Sequence, residues 1–215
     1  MNPRMCAVIG RTGHGKTTKV RDLILACDRV MILEQSNEKT EYPGVVRFGT
    51  WDALYGAMRH VNPRRFRVSF APGTSRFVDC LRLAWVLAPV TVVIEEAGKY
   101  FPQHKKTSRH HMEAVNGVPG EFLEICERGR HAGRGAVNAV SLIAVSQRPM
   151  RLPLCLRAEL DRVYAFRLNS KRDRDWLAEC PGSDQEIAEA SKDLQAFHYL
   201  NVDANGGCLA ETTTP

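Results

Sequence analysis

Gly10-Arg11-Thr12-Gly13-His14-Gly15-Lys16-Thr17 decides the fold. The stretch fits G-x-x-x-x-G-K-[ST], a glycine-rich loop that wraps the phosphates of a nucleotide. Glycine leaves room for successive backbone N–H groups to converge on phosphate oxygens. A helix opening at the end of the loop adds the positive end of its dipole. In that chemistry Lys16 pairs with the β- and γ-phosphates and the Thr17 hydroxyl ligates Mg²⁺, with Thr18 next to them on the first helical turn. A chance match in a chain of this length comes to roughly one per cent on average residue usage.

The flanks agree with the motif. Met5-Cys6-Ala7-Val8-Ile9 is a short apolar run suited to a buried strand, and Val20, Leu23, Ile24 and Cys27 recur at helical spacing after the lysine. Strand, loop and helix therefore come in the order that phosphate binding requires.

Further along, apolar runs alternate with helical patterns. Strands are expected at Arg29–Leu33, Arg67–Phe70, Val90–Ile94, Val140–Val145, Arg162–Arg167 and, last, Phe197–Leu200. Helices are expected over Trp51–Arg59, from a Ser75 cap through Phe77 to Leu87, over Gly120–Arg130, and between Lys171 and Leu194. The wholly β-branched run Val90-Thr91-Val92-Val93-Ile94 suits a central parallel strand covered on both faces. The alternation predicts an α/β domain over residues 1–210 with a mainly parallel sheet, flanked by helices. Residues 99–119 break the rhythm and read as a loop insertion, and 211–215 read as a disordered tail.

Composition narrows the class. The chain has 215 residues with 44% apolar and 25% charged side chains, ordinary for a globular protein with one sizeable core. No apolar run approaches the length of a membrane span, and the start runs straight into the first strand, so neither a membrane anchor nor a signal peptide is expected. Seven scattered cysteines without a C-x-x-C pair give no disulfide framework or zinc site and read as small apolar residues of a reducing compartment. A net charge of +6 permits a polyanionic partner without requiring one.

Three further motifs bear on chemistry. Glu95-Glu96 ends the β-branched strand. An acid there can hold Mg²⁺, and its neighbour can orient and deprotonate an attacking water, so we assign Glu95 to the metal and Glu96 to the water. Gln147, in Ser146-Gln147-Arg148-Pro149 at the end of the next strong strand, is placed to touch the γ-phosphate or that water. Arg128, Arg130 and Arg134 lie between these motifs, and an arginine from a neighbouring subunit can neutralise the transferring phosphoryl group. His104, His110 and His111 read as solvated loop residues, and Trp51, Trp85 and Trp176 as core or base-stacking candidates.

With these motifs in order the chain resembles the FtsK–HerA superfamily of pumping ATPases. Within it, the chain is most similar to the small genome-packaging ATPases of tailless, internal-membrane double-stranded-DNA viruses. The residues that carry the resemblance are Gly10–Thr17, Val92–Gly98, Glu127–Gly133 and Val145–Pro149, and they span most of the chain. The resemblance implies a RecA-like core that assembles into a homo-oligomeric ring, binds ATP and Mg²⁺, and drives double-stranded DNA through a central channel. For this group the DNA enters a preformed capsid at a vertex associated with viral membrane proteins, so the protein would work in the host cytoplasm and at the virion's packaging vertex. By position Gln147 resembles the family's sensor residue, and Arg128, Arg130 or Arg134 would supply the inter-subunit arginine. Lys105, Lys106 and Arg109 sit in the insertion and, by charge, are candidates to face DNA phosphates without reading sequence.

Three other readings stay open. A nucleoside or nucleotide kinase shares the length and the opening motif, but a kinase must keep water out, which fits poorly with a glutamate set to activate it. A related ATPase of filamentous-phage assembly or secretion usually brings a membrane segment. A nucleotide-binding scaffold without turnover fits poorly with an intact Lys16, Thr17, Glu95 and Glu96 set.

Overall fold

A computed structural model describes residues 4–34, 42–60, 64–101, 114–115, 117–128 and 140–214. Strand β1 (Met5–Ile9) leads through the glycine loop into α1 (Lys16–Leu25), followed by β2 (Arg29–Leu33) and a three-residue β3 (Val46–Phe48). Then come α2 (Trp51–His60), β4 (Phe66–Phe70), α3 (Phe77–Leu87) and β5 (Val90–Ile94). A short hairpin, β6 (Ala114–Val115) and β7 (Val118–Pro119), precedes α4 (Gly120–Arg128), β8 (Val140–Ser146) and α5 (Leu154–Ala158). The chain finishes with β9 (Arg162–Ala165), α6 (Lys171–Ala178), α7 (Gln185–Ala190) and the strands β10 (His198–Asp203) and β11 (Cys208–Thr212).

Nine strands form one sheet in the order β11-β10-β9-β1-β8-β5-β2-β4-β3. All pairs from β9 to β3 are parallel, and β10 pairs antiparallel with both β9 and β11. The expected mainly parallel α/β sheet, RecA-like in strand order, is present, with β5 in its interior between β8 and β2.

Two cores lie on the two faces, as the alternation of side chains along a strand requires. Met5, Ala7, Ile9, Val92 and Ile94 join Phe77, Leu81, Phe122 and Trp176 in the larger core. Cys6, Val8, Val93, Ile143 and Val145 meet Val20 and Ile24 of α1 in the smaller one. Helix α1 is thereby pressed against β1 and β8, which fixes the loop above the strand ends. Burying each such Val, Leu or Ile is worth about 1.5–3 kcal/mol, so this face anchors the site firmly.

The structure corrects the sequence reading in several places. Ser75 does not cap α3: the cap position is Arg76, and it makes no side-chain cap hydrogen bond. The three-residue strand β3 was not expected, nor was β11. Glu211 and Thr212, expected in a disordered tail, belong to β11. Thr213 follows on, its N–H donating to the Phe197 carbonyl at 2.9 Å and its hydroxyl to Asp22 at 3.1 Å. Lys105, Lys106, Arg109, Arg130 and Arg134 lie outside the described residues.

Candidate functional site: a phosphate loop beside two glutamates

Between β1 and α1 the chain turns through three glycines with positive φ. Gly10 has φ 131° and packs so closely on the end of β9 that a Cβ would lie 2.7 Å from Phe166 Cβ and 2.9 Å from its carbonyl carbon. Gly15, at φ 100°, would bring a Cβ within 2.9 Å of the Phe197 ring. Only glycine fits either position, so the motif's outer glycines are demanded by packing as well as by phosphate access.

Lys16 is buried at the first turn of α1, and its ammonium donates to the Arg11 carbonyl at 2.9 Å. Burial lowers its pKa, while the nearby Glu96 and Glu95 carboxylates act in the opposite direction.

The two glutamates leave β5 in different environments. The N–H of Glu95 continues the β5–β2 pairing by donating to the Leu33 carbonyl at 2.9 Å. Its carboxylate accepts from the hydroxyl of Tyr42, a buried residue in the smaller core. Burial raises the Glu95 pKa, and the Tyr42 hydrogen bond opposes that. Glu96 sits in the left-handed region at φ 48°, an uncommon backbone for a non-glycine residue, and opens a turn of 3-10 helix at Ala97–Lys99. That kink turns its side chain toward β8, where Gln147 Nε2 donates to Glu96 Oε1 at 2.6 Å.

Thr12, Gly13, Gly15, Lys16, Thr17, Thr18, Glu95, Glu96 and Gln147 line one cleft of about 270 Å³. The strand order accounts for this: β8 lies between β1 and β5, so Gln147 leaves the sheet between the loop and the acids. Arg11 lines a neighbouring cleft instead, which Thr12 and Gln147 also border. His14 is held locally by Thr12, and its carbonyl accepts from the Phe197 N–H at 3.0 Å. Arg128 ends α4 on the surface beside Glu124, at 3.9 Å, and is not among the residues lining either cleft.

Two residues of the site were not anticipated. Tyr42 follows a polar stretch and carries no pattern pointing to Glu95. Phe197 was read only as the start of a strand, yet it adopts φ 64° and lines the cleft against Gly15. Nearby, the Phe166 and Tyr199 rings pack at a tilt of 42° with centroids 5.2 Å apart.

Fold and loop together define an α/β protein of the P-loop NTPase type. Among solved structures it is similar over its whole length to the genome packaging NTPase B204 from Sulfolobus turreted icosahedral virus 2, with TM-score 0.74, 17% identity and 98% of that chain covered. B204, the DNA-packaging ATPase from Sulfolobus turreted icosahedral virus, gives TM-score 0.73 at 19% identity, with 100% of each chain covered. VirB4 of Thermoanaerobacter pseudethanolicus gives 0.66 at 10% identity, over 98% of this chain and 89% of that one. At these identities the likeness establishes the fold. No family model matches the sequence, and no curated protein matches it.

Proposed function

We propose that this chain is the ATP-hydrolysing motor subunit that moves double-stranded DNA into a viral capsid. The observation that carries the reading is the single cleft in which Lys16, Thr17, Glu95, Glu96 and Gln147 converge. It lies in a fold shared end to end with a protein described as a genome packaging NTPase.

The chemistry follows from the residues. The loop's N–H groups and Lys16 hold the β- and γ-phosphates of ATP, and the Phe197 ring offers the nucleobase a stacking face. The donor set fits Mg²⁺: the Thr17 hydroxyl and the Glu95 carboxylate are hard oxygen ligands that line the same cleft. Bound there, Mg²⁺ neutralises charge on the phosphates. Glu96 takes the proton of the attacking water, and Gln147 orients the Glu96 carboxylate through their 2.6 Å hydrogen bond. Arg128, Arg130 or Arg134 completes the site of a neighbouring subunit in a homo-oligomeric ring. Lys105, Lys106 and Arg109 face DNA phosphates in the channel, and the ring docks at a capsid vertex beside viral membrane proteins. That places the protein in the host cytoplasm and at the virion's packaging vertex. No helix among the described residues is long and apolar enough to cross a membrane.

A kinase reading has less support, because Glu96 and Gln147 occupy the position from which a kinase must keep water away. Displacement of a third strand from a triplex on linear duplex DNA tests translocation. The account expects ATP-dependent displacement that is lost in Lys16→Ala, and an assembled ring that hydrolyses ATP without displacing the strand would contradict it.

A further inference from the structure

A second cleft of about 280 Å³ lies beside the first, on the other side of Thr12 and Gln147. Arg11 from the loop, Arg148 from the end of β8 and Arg167 from the end of β9 line it, with Asn169 and Asp173. The backbone ties these elements together: the Arg11 N–H donates to the Arg167 carbonyl at 3.0 Å, and the Arg148 N–H to Ser146 Oγ at 3.1 Å. Arg148 reaches toward the buried Asp173 at 3.5 Å, and Arg167 Nε donates to Asn169 Oδ1 at 3.1 Å, a bond that does not use its two terminal NH₂ groups. Three arginines thus line a cleft that holds one carboxylate, Asp173, whose pKa burial raises while Arg148 opposes the shift. Planar guanidinium forks are matched to the oxygens of phosphate.

Position adds the second argument. In phosphoryl transfer the attacking and leaving oxygens lie roughly in line, so the phosphoryl group moves toward the attacking water as it leaves the β-phosphate. Here that direction runs toward Glu96 and Gln147, and Gln147 borders both clefts.

We propose that the Arg11–Arg148–Arg167 cleft is a second anion site that receives inorganic phosphate as it leaves the nucleotide cleft. The proposal rests on the ATPase reading for the origin of the phosphate. In that hydrolysis water oxygen bonds to the γ-phosphorus, the bond to the β-bridging oxygen breaks, and ADP and inorganic phosphate result. The cleft takes the phosphate with no further bond made or broken. Phosphate held by guanidiniums outside the loop is kept from recombining with ADP, and its departure becomes a step that a neighbouring subunit can regulate.

The test measures binding without turnover. The protein is loaded with Mg²⁺ and a non-hydrolysable ATP analogue, so that the γ-position is filled, and radiolabelled inorganic phosphate is titrated in by equilibrium dialysis. One phosphate per chain is expected, weakened about tenfold in Arg148→Gln and in Arg167→Gln, since each removes a charge-assisted hydrogen bond. Analogue affinity, read by a fluorescent nucleotide, stays unchanged in both variants and reports that they are folded. Absence of phosphate binding to the loaded protein, or binding that neither variant weakens, overturns the proposal. Binding of a short DNA duplex that both variants weaken, with no binding of free phosphate, also overturns it and assigns the cleft to DNA. Hydrolysis is not needed for any arm, so its failure would count against the ATPase reading alone.

Discussion

Tyr42→Phe removes one oxygen atom from the site and nothing from the packing of its ring in the smaller core. That oxygen is the donor to the Glu95 carboxylate. Burial pushes the Glu95 pKa up, and the Tyr42 hydrogen bond is the foremost influence pulling it back. The form that can ligate Mg²⁺ is the carboxylate, so kcat/KM should rise with pH along an acid limb that lies above the ordinary carboxylate range. Loss of the donor removes about 1.5–3 kcal/mol of preference for the charged form. On the acid limb this lowers kcat/KM by about one to two orders of magnitude, whereas at high pH, with the carboxylate already formed, the variant approaches wild type. The assay is phosphate release at subsaturating ATP across the pH range, at fixed free Mg²⁺. Stability gives an independent reading. A buried acid with a raised pKa contributes stability that is full below the ordinary carboxylate range and lost as pH rises through its raised value. Tyr42→Phe carries that window to higher pH and costs most in nucleotide-free protein at alkaline pH, where a buried carboxylate is left without its donor. An acid limb that stays in place, or moves to lower pH, refutes the reasoning.

Other perturbations test the architecture. Gly13→Ala meets only the left-handed penalty, since nothing lies within 4 Å of the new Cβ, and should cost about 1–2 kcal/mol in urea unfolding. Gly10→Ala adds a clash with the Phe166 backbone at 2.9 Å and should cost at least twice as much; equal costs would mean the loop does not sit on β9 as described. Phe197→Ala removes the aromatic face of the cleft and should weaken binding of a fluorescent ATP analogue about three- to tenfold, an effect that an unchanged Kd would exclude. Deleting residues 211–215 removes the acceptor for Tyr199 and Asn201 and the Thr213 contacts to Phe197 and Asp22. With about 1 kcal/mol for each of these four hydrogen bonds and about 2–4 °C per kcal/mol, thermal scanning should show Tm lower by about 8–16 °C; a dispensable tail would leave it in place.

How far the sequence could be read follows from burial. Strands β1, β5 and β8 are covered on both faces, so they are continuous apolar runs that stand out. The motif residues at their ends, Gly10–Thr17, Glu95-Glu96 and Gln147, are therefore legible as strand-end residues in the sequence itself. The edges were less legible. Strand β3 has three residues, too few for a pattern, and β11 is an outer strand whose Leu209 is 64% exposed and whose end is rich in threonine, which reads as a tail. Its order comes from pairing with β10 and from the bonds that Glu211 and Thr213 make to distant residues. Tyr42 and Phe197 enter the site through tertiary contact, one by a hydrogen bond across 53 positions and one by a left-handed backbone. Neither leaves a periodic trace. The Ser75 cap failed because a capping residue is a local preference, and the chain entered α3 one residue later.

The most direct test of the central claim is phosphate release by the purified protein with ATP and Mg²⁺, with and without double-stranded DNA, beside Glu96→Gln. The account predicts turnover that rises with DNA and falls at least a hundredfold in Glu96→Gln, while that variant still binds ATP. Turnover that is indifferent to Glu96, or that needs a nucleoside monophosphate as acceptor, would contradict it.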